Sequence, residues 1–230
     1  MIEDINQASK KIEFYFSKIK VARMYLQMMD DTKPLVEQKT YKLFIKAITP
    51  LYLDTLCYVC KYNITTIYKH LLLSGQAPDS IFFIKELSAS IYESLLALNE
   101  YEQFIKEHFS INAIKKYEIK KSLLQTYKDN LRLIRNKSVY HIDKDFRIYF
   151  DRMLELFNIP ILDIWNIAIE FIEYIQFHNK KIMITQINSY KPFIYDNAIL
   201  YIQKLENEVI KNPNDDDKRN LLSELNKIFY

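Results

Sequence analysis

The chain contains a single glycine, Gly75, among its 230 residues. Barrels, sandwiches and doubly wound folds need glycine in tight turns and at close backbone approaches, so its scarcity excludes them as the main architecture and predicts an all-α protein. It also excludes a P-loop and a G-x-G-x-x-G turn, since neither can be built around one glycine. Cysteine is nearly as scarce. Cys57 and Cys60, in "CYVC", sit inside an apolar helical run with no second Cys/His pair at zinc spacing. They read better as buried thiols of a reducing compartment than as a redox or metal half-site. No cofactor and no metal are predicted. An uncharged apolar run of about 18 residues is missing too, and "MIEDINQASKK" lacks the basic-then-apolar order of a signal peptide. The sequence therefore predicts a soluble, cytoplasmic protein with no membrane partner.

What the sequence has in quantity is helical periodicity. Ile5, Ile12, Phe16, Ile19, Met24 and Leu26 place one amphipathic helix over residues 5–31. Thr32 and Pro34 suit the start of a second, which runs to residue 62 with a kink near Pro50. "NITTIYKHLLLSGQAPDS" reads as a less regular connection with room for a short helix. Asp79 or Ser80 caps a third helix continuing to residue 109, and a fourth begins after Ser110 and ends in "LRLIRNKS". Shorter helices are predicted over 144–157, 160–178, 195–211 and 215–229, the last capped by Asn214 or Asp215. The β-branched segment "KIMITQI", residues 181–187, reads as an extended connector because it has no second strand to pair with. The predicted organisation is a bundle of long helices over residues 1–178, with additional C-terminal helices over 179–230 packed on it.

Charge is unevenly distributed. Residues 111–152 hold seven Lys and four Arg against five acids, a balance of +6 in a chain whose total is +3. Four of the six arginines, Arg132, Arg135, Arg147 and Arg152, fall in that window, and arginine is the residue suited to forked contacts with phosphate. A site for a polyanion is the functional reading. The same residues also complement a helix dipole and bond its last carbonyls, so charge alone leaves a structural reading open. Tyr117, Tyr127, Tyr140 and Tyr149 interleave with the basic residues; core packing accounts for them more simply than base stacking. His70, His108 and His178 have no carboxylate or cysteine at ligand spacing and read as surface residues near helix ends.

The window closes on "RNKSVYHID": Arg135, Asn136, Lys137, then Tyr140, His141 and Asp143. This resembles the R-x(4-6)-H signature of the HEPN superfamily, with a polar residue directly after the arginine. It is especially similar to the abortive-infection and toxin-antitoxin branches of that family, in which Asn-Lys often follows the arginine. Tyr140 stands where a small residue is common. The resemblance covers residues 80–178, and it implies a HEPN-like bundle and a metal-independent endoribonuclease.

Cleaving RNA without a metal uses the neighbouring 2′-hydroxyl as nucleophile. A base must take its proton, an acid must protonate the departing 5′-oxygen, and a cation must stabilise charge at phosphorus. Histidine, titrating near neutrality, is the residue type for the acid or base step, a role that falls to His141. Arg135 would hold the scissile phosphate and Asn136 would orient the substrate or the imidazole, while Arg132, Lys137, Tyr140 and Arg147 would hold the RNA. One motif supplies one histidine, so a homodimer that faces two motifs across a cleft is expected, as the resemblance also implies. On an ideal helix a six-residue step leaves Arg135 and His141 about 120° apart and about 9 Å along the axis, so convergence needs the helix to bend or end between them. The resemblance further implies a phage-defence toxin held inactive by an antitoxin protein or RNA. Two other readings stay open: a non-catalytic RNA-binding module, and a helical interaction protein in which the motif is incidental.

Overall fold

The computed structural model describes residues 2–32, 38–74, 79–134 and 160–229. Among these the protein is all-α, a bundle of long helices without strands, as its glycine content predicts. The helices are α1 (Ile2–Thr32), α2 (Gln38–Ser74), α3 (Asp79–Asn99), α4 (Glu102–His108), α5 (Ile111–Ile134), α6 (Ile161–Lys211) and α7 (Asp216–Phe229).

Three predicted boundaries are corrected. Helix α2 passes through Pro50 and continues through "NITTIYKHLLLS", so the expected connection after residue 62 is helical. Ile64 and Thr65 within it are buried, and packing of that face outweighs the weak helix preference of Asn63, Thr65 and Thr66. "KIMITQI" is likewise helical, and the two helices predicted over 160–178 and 195–211 are one continuous α6. A lone β-branched run has no ladder partner for its backbone groups, whereas a helix satisfies them locally; no glycine or proline occurs from residue 178 to 191 to stop it. The third predicted helix instead breaks after Asn99. Glu100 and Tyr101 form a turn closed by Glu100 N–H to Ala97 O (3.3 Å) and Tyr101 N–H to Leu98 O (3.1 Å), and the chain re-enters a helix as α4.

The chain forms two compact units, one made of residues 1–19 and 52–181, the other of 20–51 and 182–230. In the first, the fully buried large side chains follow four-, seven-, eight- and eleven-residue steps, each close to a whole number of helical turns: Leu53 and Ile64 on α2, Leu87, Ile91 and Leu98 on α3, Tyr117, Leu124 and Leu131 on α5, Ile164 and Ile172 on α6. Such a stripe buries one face of each helix, and each large apolar side chain so removed from water contributes about 1.5–3 kcal/mol. Ser110 starts α5 as read from sequence, its hydroxyl accepting the Ala113 N–H at 3.3 Å. Helix α5 is joined to α6 by Tyr174 Oη–H to Ala113 O (3.0 Å) and by the Tyr117–Phe171 ring pair at 5.4 Å.

In the second unit, Tyr201, Ile202 and Leu205 of α6 bury with Leu225 of α7, flanked by Leu221 and Leu222. Asp215 is the cap of α7: its carboxylate accepts the Lys218 N–H at 3.1 Å. The Lys218 ammonium reaches Glu208 at 2.9 Å and Asp215 at 3.6 Å, which ties the start of α7 to the end of α6. Asp215→Ala removes the acceptor and is expected to cost about 1 kcal/mol. Hydrogen exchange should read this as roughly fivefold lower protection of the α7 amides, with the core of the first unit unchanged.

Candidate nucleic-acid site

The candidate site begins where α5 ends. Leu131 and Ile134 are buried at the end of the α5 stripe and hold that end against the first unit. Arg132, in the last turn, points into solvent and pairs with Asp129 at 3.4 Å, leaving most of its fork open. The other proposed site residues, Arg135, Asn136, Lys137, Tyr140, His141 and Arg147, lie outside the described residues, as do Asp143, Tyr149 and Arg152.

The described part of the basic window is less uniformly basic than its composition. Lys121 is bound to Glu102, which also pairs with Lys106 at 2.6 Å, and Lys120 pairs with Glu170 at 3.0 Å. The hydrogen bonds from Lys106 and Lys121 hold the Glu102 carboxyl below its ordinary range. Lys115, Lys116 and Lys128 make no ion pair among the described residues. They and Arg132 carry the surface charge that α5 offers to an anion. Tyr117 is a core residue, as packing predicts, and burial pushes its hydroxyl above its ordinary range.

A second polar constellation in the first unit escaped the sequence reading. Asp54 and Lys61 lie on the buried stripe of α2, seven residues and about 10.5 Å of helix apart, too far for direct pairing. Gln176 of α6 bridges them: its amide donates to Asp54 Oδ1 at 2.9 Å, and its carbonyl accepts from Lys61 Nζ. All three are buried. The Lys61 ammonium also lies over the Tyr15 ring at 4.8 Å and the Tyr58 ring at 5.0 Å, within cation–π range. Burial raises the Asp54 carboxyl, opposed by the Gln176 hydrogen bond and by Lys180, Lys61 and Lys18. Burial lowers Lys61, opposed first by Glu173. Burial, with Glu173 adding to it, pushes the Tyr15 hydroxyl up to about 12.

An amide between acid and ammonium is a poor proton conductor, because passing a proton through it requires the imidic acid form. The trio therefore works as a clamp that fixes the register of α6 on α2. A polar residue on each of two apolar stripes was the available signal, but nothing in the sequence pairs Gln176 with residues more than a hundred positions earlier.

The remaining candidates resolve simply. Cys57 and Cys60 are free, buried thiols, and burial pushes both upward, so neither is poised as a thiolate nucleophile. His108 is exposed in the last turn of α4 with Nδ1 3.0 Å from Phe104 O, and His70, four residues before the end of α2, stacks on Phe83 at 5.6 Å. His178 departs from its expected place: because α6 is continuous, it lies mid-helix and half-buried between Tyr174 and Phe109. Burial lowers its pKa, with Lys181 and Lys116 adding to the effect. No cluster of three or more metal-ligating side chains occurs among the described residues, and no described helix is long and apolar enough to cross a membrane.

Comparison with family models, with curated proteins and with solved structures returns no match.

Proposed function

We propose that the protein is a metal-independent endoribonuclease of HEPN type, in which Arg135 and His141 from two copies of the chain act on one phosphodiester. The observation that carries this reading is the sequence "RNKSVYHID" directly after α5, an anchored helix of an all-α unit whose last turn exposes Arg132. His141 moves the protons of 2′-hydroxyl attack and 5′-oxygen departure, Arg135 neutralises charge at phosphorus, and Asn136 orients the reacting groups. Arg132, Lys137, Tyr140 and Arg147 hold the strand. The biological setting that fits is a toxin or abortive-infection effector in phage defence, acting in the cytoplasm as a homodimer and restrained by an antitoxin protein or RNA.

The test is incubation of the wild type and His141→Ala with total RNA in EDTA, with both proteins checked for dimerisation. Wild-type cleavage leaving 2′,3′-cyclic phosphate ends, absent in the variant, is the expected result. Equal cleavage by the variant would sink the assignment, and RNA binding without cleavage by the wild type would turn the site into a binding module.

A further inference from the structure

Phe14 and Lys18 of α1, Tyr58 of α2 and Lys180 of α6 form a chain in the first unit, two touching rings with an ammonium group at each end. The Lys18 ammonium lies 5.5 Å from the Phe14 ring centre, Phe14 meets Tyr58 edge to face at 6.0 Å, and the Lys180 ammonium lies 5.7 Å from Tyr58. Phe14 is 50% exposed although it belongs to this cluster. Both lysines are exposed, and neither makes an ion pair among the described residues. Both lower the pKa of the buried Asp54 carboxyl against the effect of its burial.

The acids nearby do not neutralise this surface. Asp54 is joined to Lys61 through Gln176, and Glu13 and Glu173, exposed carboxylates on the same helices, form no ion pair with Lys18 or Lys180. An apolar partner seated on Phe14 would take both ammonium groups from water without compensation, which is costly. A single nucleic-acid strand offers what the surface lacks, anions for the lysines and a flat base for the ring.

We propose that this surface is a second RNA seat, binding one phosphate–base step of a single strand. The proposal rests on the reading of the protein as an RNA-processing enzyme and adds a place, apart in sequence from Arg135 and His141, that holds the substrate beyond the cleaved bond.

The test uses the full chain with His141→Ala, to prevent cleavage, and a fluorescein-labelled 12-nucleotide RNA read by anisotropy across a salt series. A Lys18→Ser/Lys180→Ser variant should bind more weakly, with a salt slope smaller by about 0.7 for each phosphate that is no longer neutralised. Phe14→Ser should weaken binding by about tenfold or more. All three positions are exposed, and circular dichroism verifies that the variants stay folded. Affinity and slope equal to the parent in both variants would overturn the proposal; if Arg135→Ala still abolishes cleavage in the active chain, the nuclease reading stands without it. Weakened binding in both variants of a chain whose wild type never cleaves would keep the seat and remove the nuclease. Binding of a free mononucleotide as tightly as the 12-mer would replace the strand by a nucleotide and overturn the proposal. A change of oligomeric mass in Phe14→Ser with unchanged RNA affinity would assign the ring to an interface between copies, with the same result.

Discussion

Gln176→Leu is expected to lower the stability of the folded chain by about 3–5 kcal/mol, the usual cost of leaving buried charges without their partner. Leucine fills much of the glutamine volume, so the loss comes from polarity. It strips the amide donor from Asp54 and the acceptor from Lys61, both buried on α2. The urea midpoint should fall accordingly, with little change in the denaturant slope. A structure in which water entered and replaced the amide would show a much smaller loss, which would argue against the clamp.

Replacing the whole trio, Asp54→Leu with Lys61→Met and Gln176→Leu, should recover that loss and match or exceed the wild type at neutral pH, because matched apolar groups need no partners. The pH dependence separates the two cases. Asp54 is raised by burial, so its contribution is fully present below the ordinary carboxylate range, about pH 3.9, and is lost as pH rises through its folded pKa. Lys61 is lowered by burial, so its contribution is fully present only above about pH 10.4 and is lost as pH falls through its folded pKa. Both ionised groups therefore subtract from stability in the neutral range. Relative to the wild type, the apolar variant should gain most there and keep a smaller advantage at each extreme, where only one of the two groups is still ionised, as urea midpoints at acidic, neutral and alkaline pH would report.

The parts of this fold that were legible in the sequence are those set by local chemistry. Ser110 and Asp215 announce helix starts because a short side-chain oxygen satisfies an N–H three residues on, and the structure places both as caps. Tyr117 reads as a packing residue because aromatics recur at helical spacing, and it is buried on α5 one seven-residue step from Leu124. What was illegible depends on tertiary partners. The β-branched "KIMITQI" carries strand propensity that only a neighbouring strand could have used, and without one it joins α6. That fusion also moved His178 from a helix end to mid-helix. Asp54 and Lys61 look like interruptions of an apolar stripe until Gln176 arrives from another helix. Of the candidate site, Arg132 and the helix that leads into it are described, whereas Arg135 and His141 rest on the motif itself.

Under the proposed nuclease reading, His141→Ala should slow cleavage of a single-bond RNA substrate by about 10²–10⁴, the range for losing a general acid or base. Arg135→Ala should cost about 10²–10³ by removing charge stabilisation at phosphorus. Arg135→Lys keeps the charge but loses the planar fork, so it should fall between wild type and Arg135→Ala rather than restore activity. The pH profile then distinguishes one histidine from two. If a dimer lends one His141 as base and the other as acid, turnover requires one neutral and one protonated imidazole, and the rate must fall on both sides of a maximum. A site served by one histidine, with water as the other proton carrier, has a single limb instead. The bell shape therefore tests the composite dimer site independently of the rate lost by mutation, since a one-limbed profile in an active, His141-dependent enzyme would leave the nuclease standing and remove the shared cleft.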